Sequence, residues 1–430
     1  MYFKNVFFYY IMMNNNDIVN IKTEQFYFSY TRKPERELDI NLELFRGELY
    51  CDLLKQFTKS CLKNLNDEVF SHKKNYHRTI TNLLASWFFT MYIKYDFTMD
   101  TFFPSNYLAH DEIIIRTLKD YTSLHNIPNV DTKINNIIND LHMNYSNLIT
   151  KLLNYKKINH EITISKVTKN YTRDNVPVSF YILSLHSTHI LCNKLHNIIN
   201  NIMLPVSQYN IMKMRYVGEN DLLDQYIWTV LYRYQLLSSN NHQLAVIPKI
   251  YNAMKNDFNL SIECFASAIN SSSEHFCSLY YDVEKFFGSI GNFFQLTCIE
   301  GVYSFNPPYQ HDVMTLGFTR MLDHLDKSNE KLIFIITIPI WDNMGKEMMK
   351  EMNMENNNNK IDYEDFEIMN TIRNSKHFRG LRMISKNDFT YMDHNFYLFK
   401  NKTIQNTYVI VMSNRECNYI ETINKYNFFE

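Results

Sequence analysis

The residues of this chain with the clearest chemical potential are four in a row, Asn306, Pro307, Pro308 and Tyr309. They follow an apolar run that predicts a β-strand over residues 298–305, and a helical pattern comes after them. Proline fixes φ and has no N–H, so such a loop holds its carbonyl oxygens and the Asn306 side-chain oxygen in place. Tyr309 adds an aromatic face on which a planar ring can stack. The arrangement therefore suits a base with an exocyclic amino group.

Methylation of an aromatic amine is the reaction these groups could support. The Asn306 side-chain oxygen and the Pro307 carbonyl could accept the two amino hydrogens, which frees the nitrogen lone pair from conjugation and aims it at a methyl donor. Tyr309 would hold the base by stacking. Catalysis would then rest on positioning and preorganised dipoles, and it would require no nucleophile and no metal. The packing alternative is a diproline turn that closes a strand, and it leaves the adjoining Asn and aromatic residue unexplained.

Two further stretches could lie against a cofactor. In residues 263–270, small side chains follow a predicted strand and would let a ligand approach the backbone, while Ser and Asn supply hydrogen bonds. In residues 286–291, glycine permits a close approach or a positive φ. A tight turn explains the first stretch equally well, and a turn is the commoner meaning of the second. The candidate cofactor-binding residues are Phe265, Ser267, Asn270, Gly288, Ser289 and Asn306.

The pattern of apolar residues divides the chain into two parts. Residues 1–215 predict a mostly α-helical domain with possible RNA or partner contacts, although 176–190 fits either a strand or a buried helix. Residues 216–430 alternate α and β signals, which favours an open α/β sheet. Ligands bind at the carboxyl ends of the strands in such sheets, where residues 306–309 fall. Helices are predicted at 38–57, 78–92, 111–124, 134–155, 222–237 (with Asn220 as N-cap) and 247–256, strands at 260–265, 298–305, 332–340, 394–399 and 407–412, and a disordered insertion at 353–359.

Composition limits the remaining function classes. The 44 basic and 45 acidic residues nearly balance, so any nucleic acid must bind a local patch. The 7 cysteines form no CxxC pair and no Cys/His group has zinc-ligand spacing, which predicts reduced, mostly buried thiols and no metal. The apolar run at residues 6–13 is too short to span a membrane. We therefore expect an intracellular protein of the nucleus or cytoplasm. The high content of Asn, Ile and Lys is typical of an AT-rich genome, such as that of a virus. In a viral protein, the expected location in the cell would be a viral factory.

Residues 220–414 resemble the phosphorylated CTD-interacting factor family, the cap-specific adenosine N6-methyltransferases. The likeness rests on ordered matches: Leu-Tyr-Arg-Tyr at 231–234, Glu-Cys-Phe-Ala-Ser-Ala-Ile-Asn at 263–270, the 286–291 loop, 306–309 and 334–341. The resemblance implies a Rossmann-like class I methyltransferase domain after the helical one, with S-adenosyl-L-methionine as methyl donor. It implies the N6 of a 2′-O-methyladenosine beside the N7-methylguanosine cap of mRNA as acceptor. No WW-type module is recognised.

The resemblance also assigns residues. The methyl donor and the adenine would be contacted by Asn306, Pro307, Pro308 and Tyr309. At the last of these positions the family has Phe, and Tyr309 keeps the aromatic ring.

Trp341 and Asp342 would face the cationic cap guanine, and His311 stands where the family has an acidic residue. Arg46 and Arg78 are the candidates for RNA contact, from their helical context. After Trp341, the family's basic-acidic-Pro-Pro pattern is replaced by Asp-Asn-Met-Gly at 342–345. Because this departure and His311 both touch the cap side, adenine methylation is better supported than cap dependence.

Two other interpretations stay open. Loops of the form Asn/Asp-Pro-Pro-aromatic also occur in N6-adenine DNA methyltransferases, although no target-recognition module is evident here. The altered cap side is also compatible with a catalytically inactive, RNA-binding member of the family. The intact sequence at 306–309 argues against this last interpretation.

Overall fold

The computed structural model describes residues 12–13, 18–22, 26–31, 37–71, 76–94, 100–104, 111–122, 127–157, 161–173, 176–187, 202–237, 243–308, 311–339, 364–394, 400–402 and 406–425. Two compact units divide the chain. The sheet unit comprises Met1–Glu35, Asn241–Tyr281 and Gly288–Glu430, and the helical unit comprises Arg36–Asn240 and Asp282–Phe287.

Helices and strands are numbered along the described residues. The helices are α1 (Ile40–Ser71), α2 (Tyr76–Lys94), α3 (Glu112–Thr122), α4 (Val130–Leu153), α5 (Val206–Arg215), α6 (Leu223–Leu236), α7 (Pro248–Phe258), α8 (Tyr281–Glu284), α9 (His311–Lys327), α10 (Glu364–Arg373) and α11 (Tyr419–Lys425). The strands are β1 (Met12–Met13), β2 (Ile18–Lys22), β3 (Tyr27–Thr31), β4 (Ile162–Arg173), β5 (Val176–Ser187), β6 (Ile202–Pro205), β7 (Leu244–Val246), β8 (Leu260–Glu263), β9 (His275–Phe276), β10 (Thr297–Phe305), β11 (Leu332–Pro339), β12 (Phe378–Ile384), β13 (Tyr391–Asp393), β14 (Lys400–Lys402) and β15 (Thr407–Ser413).

The main sheet of the sheet unit contains a parallel part in the order β9-β8-β10-β11. β15 pairs antiparallel with β11, and β12 pairs antiparallel with β15. From β8 the chain passes to β9 on one side, and it then returns to β10 on the other side of β8 and continues to β11. The direction of winding therefore reverses between β8 and β10. In open α/β sheets, this switch point is where ligands bind, outside the carboxyl ends of the strands.

Strand β11 is central because its sequence is apolar on both faces. Every residue from Leu332 to Pro339 is buried. Phe334 and Ile336 pack in one hydrophobic cluster with residues of α9, whereas Ile333 and Ile335 pack in another with residues of α7. A near-continuous apolar run is what a strand covered on both faces requires. The prediction of a central strand here is confirmed.

The helical unit contains the helices predicted in the first half of the chain, and α1 packs against α2, α4 and α6. It also contains a three-stranded antiparallel sheet in the order β4-β5-β6. The sequence of residues 176–190 fits either a strand or a buried helix, and the structure shows that residues 176–187 form strand β5. The description of this part of the chain as mostly helical thus omitted a sheet.

Three local predictions need correction. The N-terminal residues that were assigned to the helical part include β2 and β3, and β3 pairs antiparallel with the first half of β10. Asn220 does not cap a helix, because it begins a 3-10 turn that runs into α6 without a side-chain cap. His394 lies after β13 and not within a strand. The predicted insertion at 353–359 and residues 395–399 lie outside the described residues.

The cysteines and the helix lengths can be reported for the described part of the chain only. There, no disulfide bond joins the six described cysteines, four of which are buried; the six are Cys51, Cys61, Cys264, Cys277, Cys298 and Cys417. Within the same residues, no helix combines the length and the hydropathy that a membrane crossing needs.

Gly288 tests how closely the backbone packs at the sheet edge beyond β9. Its φ is +105°, and an added Cβ would lie 2.1 Å from the Glu274 carbonyl oxygen. Gly291 has a similar φ of +110°, but no atom lies within 4 Å of its added Cβ. We expect Gly291→Ala to cost only backbone strain, about 1–3 kcal/mol, and Gly288→Ala to cost more because it also displaces the Glu274 backbone. Urea denaturation of both variants measures the difference, and equal costs would contradict this account.

Candidate active site at the carboxyl ends of β8 and β10

The loop that carries the predicted chemistry begins directly after β10. The parallel pairing of β10 with β11 ends at Phe305, opposite Ile336. Pro307 cannot extend it, because proline has no N–H to donate. Asn306 is half-buried and Pro307 is buried. The predicted position of this loop, between a strand and a helix, is confirmed.

Part of the predicted site lies outside the described residues. Tyr309, Trp341 and Asp342 belong to that part. His311 is the first residue of α9, but its side chain is likewise not described. The roles of these four residues therefore stay predictions.

The segment after β8 is joined to the end of β10. The Cys264 N–H donates a hydrogen bond of 2.9 Å to the Ser304 carbonyl. The Phe265 and Phe305 rings meet edge to face with their centroids 5.1 Å apart. Helix α9 can lie close to both rings because Gly317 has no side chain; a Cβ there would be 3.1 Å from Phe305 and 3.4 Å from Phe265. The structure thus brings Phe265 beside the root of the Asn306 loop.

Ser267 and Asn270 form a closed turn in this segment. The Asn270 side-chain oxygen accepts from the Ser267 N–H at 2.7 Å and from the Ser267 hydroxyl at 3.1 Å. The same hydroxyl lies 2.9 Å from the Gln243 Oε1 oxygen, to which it donates. Both residues are buried. Their side-chain oxygens thus shape the turn, in agreement with the turn interpretation, and a direct role toward a cofactor stays a prediction.

Glu263 is a residue that the sequence reasoning missed. It is the last residue of β8, and its side chain accepts hydrogen bonds of 2.6 Å from the N–H groups of both Ser272 and Ser273. Hydrogen bonds to a carboxylate are stronger than neutral ones. The carboxylate therefore ties the far end of the 264–273 loop to the strand end. A carboxylate at the end of an apolar strand followed by three serines was the available signal.

Gly288 and Ser289 lie at the edge of the sheet, next to β9. Ser289 forms a parallel bridge with Phe276, and its hydroxyl is 2.7 Å from the Ser278 hydroxyl. The Gly288 carbonyl accepts from the Phe276 N–H at 3.3 Å. The close approach that glycine permits at position 288 is an approach to the Glu274 backbone. The described contacts of this pair are thus with the neighbouring segment of the sheet.

The thiols near the site are neutral. Burial raises the pKa of the Cys264, Cys277 and Cys298 thiols well above the usual range. A cysteine attacks as the thiolate, so these three residues are not placed to act as nucleophiles. Among the residues that the structure describes, no group of three or more His, Cys, Asp or Glu side chains is arranged to hold a metal ion.

Of the two arginines predicted to contact RNA, the structure buries one. Arg46 is 4% exposed and pairs with Glu43 and Asp100. Burial disfavours its charge, but these two carboxylates outweigh that effect and raise the pKa of Arg46. Glu43 also pairs with the buried Arg233, which lies in the 231–234 match. Arg46 is therefore part of an internal ion-pair network of the helical unit, and RNA contact by Arg46 is not supported by this position; Arg78 is exposed on α2.

The segment that contains the candidate site is similar to a known protein family. Residues 207–363 match a family model described as "Phosphorylated CTD interacting factor 1 WW domain". This segment, which is less than half of the chain, is similar to the phosphorylated CTD interacting factor family. The matched residues include α6, β8, β10, α9 and β11, and so they include both strand ends of the candidate site. The family resemblance seen in residues 263–270 and 306–309 is confirmed.

Two mammalian relatives are similar to part of the chain. A mouse and a human protein, each named "mRNA (2'-O-methyladenosine-N(6)-)-methyltransferase", are 30% identical to it over 121 residues. The matched residues are 27% of this chain and 17% of each relative. The chain thus spans less than a fifth of the length of the relatives it matches.

The ion-pair network predicts opposite outcomes for the two arginines. Arg46→Gln leaves the buried Asp100 and Glu43 carboxylates short of a partner, and we expect it to cost about 3–5 kcal/mol of the free energy of unfolding. Arg78→Gln, a matched change at an exposed position, should stay within about 0.5 kcal/mol of wild type. Urea denaturation measures both. A stable Arg46→Gln protein would remove the structural role assigned to Arg46.

Glu263 can be tested by hydrogen exchange. Glu263→Ala removes the acceptor of two N–H groups, so we expect faster exchange of the Ser272 and Ser273 amides and a loss of about 3 kcal/mol in stability. Glu263→Gln keeps an acceptor oxygen without the charge, and its effects should be intermediate. Amide exchange followed by mass spectrometry of peptides from this loop gives the readout. Unchanged protection in the Ala variant would show that Glu263 does not hold the loop.

Proposed function

We propose that this chain is an S-adenosyl-L-methionine-dependent methyltransferase that acts on the N6 of adenosine in RNA. The observation that carries the proposal is the position of Asn306, Pro307 and Pro308. They follow β10 at the switch point of the sheet, inside the segment that matches the family. The names of the mouse and human relatives support both the methyl transfer and the RNA substrate.

We assign the sheet unit to the Rossmann-like class I methyltransferases. Its parallel strands β9, β8, β10 and β11 and the reversal of winding between β8 and β10 support this assignment. Such a sheet leaves one crevice where loops from adjacent strands diverge. Here the two loops are 264–273 and the one that begins at Asn306.

The residues around β8 fit S-adenosyl-L-methionine. Phe265 is half-buried, its ring is braced by Phe293 and Phe294, and it offers an aromatic surface beside the backbone of small residues. The residues that would hold the donor are Phe265, Ser267, Asn270, Gly288, Ser289 and Asn306. When bound, S-adenosyl-L-methionine supplies a methyl group that is electrophilic because it is attached to a sulfonium sulfur.

The protein's own contribution is to present the amine correctly. The side-chain oxygen of Asn306 and the carbonyl of Pro307 accept the hydrogens of the adenine amino group, so its lone pair is free to attack. Pro307 is buried and its φ is fixed, so its backbone is constrained before substrate binds. Tyr309 stacks on the adenine ring. The nitrogen would form a bond to the methyl carbon while the bond from that carbon to sulfur breaks, the thioether S-adenosyl-L-homocysteine would leave, and the nitrogen would lose one proton to water. The rate gain comes from orientation and from dipoles that need no rearrangement.

The finer substrate that we propose is the 2′-O-methyladenosine next to the mRNA cap. The names of the two relatives support this choice of substrate. Trp341, Asp342 and His311 are the residues through which the chain would recognise the cap. Wild-type protein should methylate capped RNA that begins with adenosine faster than uncapped RNA or DNA. Methylation of DNA alone would favour a DNA methyltransferase, and no methylation of any substrate would favour an inactive RNA-binding protein.

Asn306 is the residue whose removal tests the chemistry. Asn306→Ala deletes one of the two acceptors, and we expect the turnover number for methyl transfer to fall at least about 100-fold, as for other preorganised polar groups. Asn252→Ala, at an exposed position of α7, is the matched control and should keep wild-type turnover. Transfer of a radiolabelled methyl group measures the rates, and circular dichroism confirms folding. A folded Asn306→Ala protein with wild-type turnover would refute the assigned role.

A further inference from the structure

The antiparallel pair β4–β5 is the longest strand pair in the part of the chain that the structure describes, with 12 residues in each strand. β6 covers the other side of β5, so β4 lies at the edge of the three-stranded sheet. This feature belongs to the helical unit, and the proposed methyl transfer does not use it. Lys166 of the outer strand pairs with Asp224, whereas other side chains of that strand are exposed.

One face of β4 presents Val167, Lys169 and Tyr171. Side chains at alternate positions of a strand point to the same face and are spaced by about 7 Å. Val167 is 53% exposed, Tyr171 is 42% exposed, and Lys169 is exposed as well. Phe180 on β5 supports the Tyr171 ring edge to face, with the centroids 5.6 Å apart. A tyrosine held in this way offers a free aromatic face at little entropic cost. We call these three residues the β4 face.

The charged residues of strands β4 and β5 have one sign, and the turn that joins the two strands contains one acidic residue, Asp174. β4 and β5 contain Lys166, Lys169 and Arg173 but no Asp or Glu, in a chain whose net charge is −1. Lys166 is neutralised by Asp224, with a distance of 3.0 Å. Lys169 is different, because among the described residues no carboxylate lies within ion-pair distance of its ammonium group. The β4 face therefore combines a lysine that is available to an anion with an exposed ring.

We propose that the β4 face binds single-stranded RNA, with Lys169 contacting a phosphate and Tyr171 stacking on a base. A positive charge next to an aromatic platform is how proteins bind single strands without reading their sequence. The proposal rests on the proposed function insofar as RNA is the substrate. The proposal also supplies an RNA-binding cation in place of Arg46, because Arg46 forms internal ion pairs and is buried. A second copy of the chain is disfavoured as the occupant, because exposed lysines on an edge strand oppose strand-to-strand pairing.

Binding of a fluorescein-labelled, uncapped single-stranded RNA to the full chain, followed by anisotropy at several salt concentrations, tests the proposal. Lys169→Gln should weaken binding and reduce the slope of log K against log salt by about 0.7, the value for one phosphate on a single strand. Tyr171→Ser should weaken binding about 5- to 100-fold, and Tyr171→Phe should restore it because the ring is kept. The control Lys59→Gln removes an equal charge from an exposed position of α1 and should change neither quantity.

The proposal is overturned if wild-type protein does not bind the RNA, if the β4-face variants bind as wild type does, or if Lys59→Gln weakens binding as much as Lys169→Gln. It is also overturned if sedimentation shows a dimer that the β4-face variants dissociate, since the face would then join two copies. Methyl transfer by wild-type protein to the same RNA with a cap is measured in parallel. RNA binding that depends on the β4 face without methyl transfer refutes the proposed function alone, and methyl transfer with unaffected variants refutes the β4 face alone.

Discussion

The parallel pairing of β8 with β10 is the constraint on which the candidate site depends. These strands are separated in sequence by the β9 segment, yet the Cys264 N–H bonds to the Ser304 carbonyl at the point where both strands end. The loops that follow must therefore start side by side and then diverge. Neither loop alone would form a crevice. The hydrogen bond also explains why Phe265 and Phe305 touch, and why α9 needs a glycine where it crosses them.

Polar side chains in the 264–273 loop are largely used to hold the loop itself. The Ser267–Asn270 turn and the two hydrogen bonds to Glu263 fix its backbone at both ends. A site held in one conformation loses less entropy when a ligand binds. The contribution of these residues is thus to preorganisation. Direct contact of Ser267 and Asn270 with the methyl donor stays a proposal, and these hydrogen bonds would hold both residues in place for it.

Charged side chains of the helical unit are likewise used to hold its own structure. Arg46 and Arg233 share Glu43, and Arg233 also holds Asp282 at 2.8 Å, so charges from distant parts of the sequence neutralise one another inside the unit. A buried ion pair is costly to break because the remaining charge stays buried. The arginines that such a network takes up are not available to a polyanion. The free cation of the β4 face is therefore more informative than the total number of basic residues.

The sequence by itself determined the order of the motifs and several of the elements, among them β11 and the loop after β10. The apolar run of β11 and the prolines after β10 act through local rules, burial on both faces and a missing N–H, so they could be predicted without a structure. Tertiary structure alone decided which polar groups meet. Glu263 reaches serines nine and ten residues away, β3 joins β10 across most of the chain, and Arg46 finds Asp100 instead of solvent. The pairing of β3 with β10 and of Arg46 with Asp100 is long-range, and no local pattern of residue types encodes it.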